Sequence, residues 1–79
     1  MSPTVFKEKG FRFYFFFREE TRMHVHVQAS GGEAKFWLEP TIDLAKNYGL
    51  TEKELRDARK ILEEHEDEIK SAWETHFGP

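Results

Sequence analysis

The sequence predicts an α+β fold, an antiparallel β-meander of four to five strands packed on a C-terminal helix or bent helical pair. Three observations predict it. Residues 1–50 alternate in the two-residue period of strands and are cut by turn residues at short intervals. From residue 51 the apolar positions recur in steps of three and four, the period of an amphipathic helix. Eight Phe, two Trp and two Tyr in 79 residues supply the large apolar side chains that a short chain, burying only about 60% of its unfolded surface, needs for a core.

Pro3 to Glu8 is the first expected strand, and Lys9-Gly10 the turn, because Gly tolerates positive φ. Phe11 to Arg18 is the clearest strand, with Phe11, Phe13, Phe15 and Phe17 on one face and Arg12, Tyr14, Phe16 and Arg18 on the other. A third strand runs from Met23 to Gln28, with Val25 and Val27 opposing His24, His26 and Gln28. A four-residue connection, Glu19 to Arg22, would put the Phe row on the His24 face. A five-residue connection that includes Met23 keeps the apolar rows together and is favoured, since burying four Phe with two Val outweighs any difference between turn types.

Ser30-Gly31-Gly32 turns the chain into a fourth strand, Glu33 to Leu38, with Ala34, Phe36 and Leu38 inward and Glu33, Lys35 and Trp37 outward. A turn over Ala29 to Gly32 pairs Gln28 with Glu33, His26 with Lys35 and His24 with Trp37. Glu39 to Leu50 fits either a strand or one helical turn ended by Gly49; a fifth strand is preferred. Thr51 with Glu54 three residues on is a capping-box signature, so a helix begins there. Its stripe is Leu55, Ala58, Leu62, His65, Ile69, Ala72 or Trp73, and His76 or Phe77. A straight helix over residues 52–77 would run about 39 Å against about 23 Å for a seven-residue strand, so a bend or break is expected near Glu64 to Glu66. The whole chain, 1–79, reads as one domain.

Several residues resemble a family of short bacterial proteins known as a domain of unknown function. They are His24-Val25-His26-Val27, the run Gly32-Glu33-Ala34-Lys35-Phe36-Trp37-Leu38-Glu39-Pro40, Tyr48-Gly49-Leu50, Glu54-Leu55, and Trp73 with Phe77. The resemblance covers nearly the whole chain, and the family has no established activity. Where its members commonly carry a Pro-Pro pair before the His-x-His strand, this chain has Arg22-Met23. Members are often encoded beside another small protein, which implies a protein partner in a toxin–antitoxin-like pair, with RNA as a further target.

The outward face collects Arg12, Tyr14, Phe16 and Arg18 from the second strand, His24, His26 and Gln28 from the third, and Glu33, Lys35 and Trp37 from the fourth. Rings interleaved with cations suit a partner-protein interface. They also suit single-stranded RNA, whose bases stack on rings while cations answer phosphates. His24 and His26, two apart on a strand, point the same way within about 6–7 Å. Such a pair could serve as acid and base in RNA cleavage, with Lys35 or Arg18 steadying phosphorane charge. It could equally supply two metal ligands, but a zinc site wants at least three, and Lys35 beside His26 repels a cation. The leading expectation is therefore a non-enzymatic interaction module, with a His-dependent RNase toxin and a metal-binding module as alternatives.

Charge divides the chain. Residues 1–50 carry seven Lys/Arg against six Asp/Glu, while residues 51–79 carry five against nine. The acidic helical half would repel phosphates, so no DNA contact is expected through it. Self-association through an open sheet edge is a further expectation. With no Cys, an apolar run at Phe13 to Phe17 far too short to span a bilayer, and no cofactor motif, the sequence fits a reducing cytoplasm without membrane contact or bound cofactor.

Overall fold

In the computed structural model, which describes residues 4–16 and 21–78, five strands form one antiparallel sheet in chain order. They are β1 (Thr4–Glu8), β2 (Phe11–Tyr14), β3 (His24–Ala29), β4 (Gly32–Trp37) and β5 (Asp43–Tyr48), followed by helices α1 (Glu52–Glu64) and α2 (Glu66–Phe77). The α+β meander with a bent helical pair is the predicted architecture. The ambiguous segment before Thr51 is a strand.

Short connections dictate this order. Lys9 and Gly10 both adopt left-handed backbone, φ 52° and 84°, which matches the twist of the strands they join. The β3–β4 register is the expected one, with Gln28 opposite Glu33, His26 opposite Lys35 and His24 opposite Trp37.

The β2–β3 register differs in one respect. A connection from Glu19 to Met23 would set Tyr14 opposite Gln28, but Tyr14 pairs with His26 and Phe13 with Val27. The shift is two residues, so the parity survives and the apolar rows still share a face. β2 was expected to reach Arg18, whereas its ladder ends at Tyr14; Phe17 and Arg18 lie outside the described residues.

Phe11, Phe13, Phe15, Val25, Val27, Phe36 and Leu38 form the core with Ala58, Ile61, Leu62, Ile69 and Trp73 from the helices. Both helices therefore cover one side of the sheet. Thr51 caps α1 as predicted: its Oγ1 accepts from the Glu54 amide at 3.1 Å, and its own amide donates to Glu54 Oε1 at 2.9 Å. Just before it, the Asn47 side chain exchanges two 3.0 Å hydrogen bonds with the Leu50 backbone and fixes the β5–α1 corner. Among the described residues no helix is long and apolar enough to cross a membrane.

The helical break falls at His65. The longest Cα extent of the fold is 33 Å, too short for the straight helix of about 39 Å. No Gly or Pro is needed, because the bend is held by side chains. His65 Nε2 lies 3.0 Å from Glu8 on β1 and Nδ1 lies 3.1 Å from Glu68 on α2, with the ring 4.7 Å from Phe6. Glu63, Glu64, Glu66 and Asp67 complete an acidic surround.

The hydrogen bond to Glu68, supported by Glu8 and opposed by partial burial, raises the His65 pKa above its usual value. Its stabilising contribution is thus fully present below the unfolded pKa of about 6.5 and is lost as pH rises through the folded pKa. Urea midpoints at about pH 5.5 and about pH 8.5 should accordingly show a wild-type advantage over His65→Gln that shrinks at the higher pH. Parallel pH profiles would remove the bend from electrostatic control.

Candidate functional site

The face of the sheet opposite the helices is built by alternation. β2 presents Arg12 and Tyr14, β3 presents His26 and Gln28, and β4 presents Glu33 and Lys35. Together with Phe16, Lys46 and Tyr48 they line a concave cleft of about 380 Å³. No helical residue contributes to it.

Tyr14 is its centre. The Arg12 guanidinium sits 4.4 Å above one side of the ring, and His26 stacks against it at 5.3 Å. The phenol donates to Glu33 Oε2 at 2.9 Å. Burial, and next the hydrogen bond to Glu33, push the Tyr14 pKa up to about 12, so the phenol stays a neutral donor near neutral pH. Arg12 is steadied in turn by Thr4 Oγ1 at 2.8 Å and Gln28 Oε1 at 3.3 Å. Arg12, Tyr14, His26, Gln28 and Glu33 are thus tied to one another across β2, β3 and β4.

Three residues expected to face solvent are buried. Tyr14 is enclosed as described. Lys35 is 7% exposed, with Nζ 4.7 Å from the centre of the Trp37 ring, an apolar seat that a long aliphatic stem permits. His24 is 1% exposed. Where β2–β3 pairing ends at Tyr14, the Trp73 indole stands edge-on to both Phe15, at 5.5 Å, and His24, at 5.0 Å. The His24 Nδ1–H donates to the Arg22 carbonyl at 2.8 Å.

The predicted face is therefore split. His26 lines the cleft, whereas His24 and Trp37 lie at the other end of β3 and β4, where Arg22 caps the Trp37 ring at 4.2 Å. The His24 and His26 rings are 5.5 Å apart at 81°, but only one opens onto the cleft. A general acid and base must both reach the reacting group; among the described residues His26 lines the cleft, whereas His24 is 1% exposed and does not. Among the described residues no group of three or more His, Cys, Asp or Glu side chains converges as metal ligands. Arg18 lies outside the described residues.

Lys46 and Tyr48 were missed by sequence reasoning. Both come from β5, whose bulge opposite Lys35/Phe36 resets the alternation so that Lys46 faces Lys35 and Tyr48 faces Glu33. Pairing Tyr48 with Glu33 in the sequence would have found them, but Glu39 to Leu50 had no unique period.

Fold and site together define a small helix-backed β-meander whose free face carries an aromatic, basic cleft. The family model described as "Domain of unknown function (DUF4160)" matches residues 10–74, and the chain belongs to that family. No curated protein and no solved structure matches it.

Proposed function

We propose that the chain is an interaction module that holds a partner protein on the free face of its sheet, in a pair of the toxin–antitoxin kind that the family resemblance implies. One observation carries the reading. Tyr48 is 59% and Phe16 48% exposed, and these two rings flank a cleft that no helix covers. Exposed rings around a concavity are costly to leave in water and are characteristic of interface anchors. The cysteine-free composition suits a pair that works in a reducing cytoplasm. The RNase alternative is less well supported, because it needs His24 to act from beneath Trp73.

The test is association with the small neighbour-encoded protein that the family resemblance implies. Tyr48→Ser and Phe16→Ser together should weaken it by about 10- to 100-fold, while circular dichroism and thermal midpoint stay near wild type. Unchanged affinity would sink the reading. Expression of the wild type alone should leave RNA intact; RNA cleavage abolished by His24→Ala/His26→Ala would replace the interaction module with the enzyme.

A further inference from the structure

We propose that His65 is a proton-operated latch between β1 and α2: with both ring nitrogens protonated it holds Glu8 and Glu68 at once, and on losing one proton it keeps Glu8 and lets Glu68 go. The first ground is the supply of donors. Nε2 stands 3.0 Å from Glu8 Oε1, and Nδ1 stands 3.1 Å from Glu68 Oε1. Ionised carboxylates only accept, so both bonds together require N–H on both nitrogens, which is the imidazolium. A neutral imidazole has one N–H and one lone pair. That lone pair would face a carboxylate oxygen at hydrogen-bond distance, and the contact opens.

The second ground is how the ring is seated, which decides the contact that opens. β1 holds it twice, through Glu8 and through Phe6, whose ring centre lies 4.7 Å away. α2 holds it once, through Glu68, whose side chain is 65% exposed against 31% for Glu8. Glu68 also sits in the first turn of α2, where the helix dipole favours its charge with or without His65. Glu68 is therefore the partner that leaves, and the neutral ring keeps its hydrogen on Nε2.

The third ground is the surrounding charge. Glu8 from β1, Glu63 and Glu64 from α1, and Glu66, Asp67 and Glu68 from α2 gather about the ring. Lys70 is taken up by Glu66 at 2.8 Å, and Lys9, in the turn after β1, acts on Asp57. Loss of the His65 charge leaves these carboxylates to repel one another. The Glu68 bond is the foremost cause of the raised His65 pKa, so the latch is closed below the unfolded value of about 6.5 and opens as pH rises through the folded one. Opening frees Glu68 towards a groove of about 560 Å³ between β1 and α2, lined also by Val5, Phe15, Ala72 and His76. None of these residues, nor His65, lines the cleft on the free face.

The experiment uses the full chain at about pH 5.5 and about pH 8.5. Heteronuclear NMR of the His65 ring should show both nitrogens protonated at the lower pH and the Nε2–H tautomer at the higher. Amide exchange, corrected for its intrinsic pH dependence, should show the protection of Ile69 to Ala72, whose amides close the first turn of α2, falling by about 3- to 10-fold, the scale of one hydrogen bond. The amides of β3 and β4 should keep theirs. Glu68→Gln is the decisive variant. Its side-chain amide accepts from an N–H and donates to a lone pair, so it holds the ring in either protonation state and the pH step should vanish. His76→Gln, on the same groove, should leave the step in place. An Nδ1–H tautomer would make Glu8 the released partner, and loss of protection throughout the chain would make the effect one of global stability. Either result, the absence of a step, a step that survives Glu68→Gln, or one that disappears in His76→Gln would overturn the proposal.

Discussion

Gly32→Ala is expected to destabilise the protein by about 3 kcal/mol or more, at the upper end of what overpacking costs. Gly32 opens β4 at the point where the chain returns past the end of β5. A methyl group placed on it would overlap the Tyr48 carbonyl oxygen and stand 2.8 Å from the Gly49 carbonyl carbon and 2.9 Å from its Cα. All three are backbone atoms, so no rotamer change relieves the overlap. Gly49 cannot simply retreat. It holds φ +98° with Gly31 O only 3.0 Å from where its own Cβ would be, and Asn47 clamps the corner through Leu50. The β4–β5 pairing must open instead, and it opens at Glu33 and Tyr48, the first paired residues.

Gly31→Ala is the matched control. Nothing lies within 4 Å of its Cβ position, and a surface change of that kind should stay within about 0.5 kcal/mol. Chemical denaturation of the two variants settles the point; equal midpoints would show that the approach of β4 to the Gly49 corner carries no weight. A second consequence reaches the cleft. Because Tyr48 is displaced with the strand end, Gly32→Ala should also weaken partner association without altering any cleft side chain.

How much of this was legible in the sequence depended on whether one row of residues had a single way to be satisfied. The β3–β4 hairpin was legible because Val25, Val27, Ala34 and Phe36 can share a face in only one parity, and a Gly-rich turn of known length fixes the offset. The helical start was legible because Thr51 and Glu54 satisfy each other's amides. The bend was legible from length alone, though the clasp by Glu8 and Glu68 that makes it at His65 was not, since it joins residues 57 apart in the chain.

Parity was as far as the sequence reached between β2 and β3. The alternation of Phe with Arg and Tyr specifies which residues share a face but is unchanged by a two-residue slide, so pairing Tyr14 with His26 could not be told from pairing it with Gln28. The candidate site was legible to the same degree. The alternation put Arg12, Tyr14, His26, Gln28, Glu33 and Lys35 on one face, as the strand pairing does, but it did not show that Tyr14, Lys35 and His24 are buried. Trp73 was placed on the helical stripe, and nothing local to it indicates that the indole stands at the end of the β2–β3 ladder and covers His24. β5 was the least legible element, because a bulge breaks its period, and the cleft residues Lys46 and Tyr48 went with it.

Trp73→Ala is the other substitution expected to have a large effect, about 3–5 kcal/mol. Trp73 is 3% exposed and meets Phe15, His24 and, at 4.4 Å, Phe77. In α2 it shares with Ile69 the whole of the fully buried surface, so truncation removes the larger of two anchors and leaves a cavity against the sheet. A domain of this size has a total stability of roughly 4–12 kcal/mol, and each kcal/mol moves its thermal midpoint by about 4–8 °C. The midpoint should therefore fall by about 12 °C or more, whereas Trp73→Phe, which keeps a ring against Phe15, should lose less than half as much. A shift of only a few degrees for Trp73→Ala would mean that α2 is not anchored through the indole. Amide hydrogen exchange then decides how the loss is distributed. The cleft is lined by the sheet and its flanking residues alone, while α2 touches the sheet from behind. If α2 frays locally, its amides should exchange faster while those of β3 and β4 stay protected, and partner binding through Tyr48 should persist. If all amides accelerate together, the five strands and the two helices form one cooperative unit, and the free face exists only while the aromatic core behind it is intact.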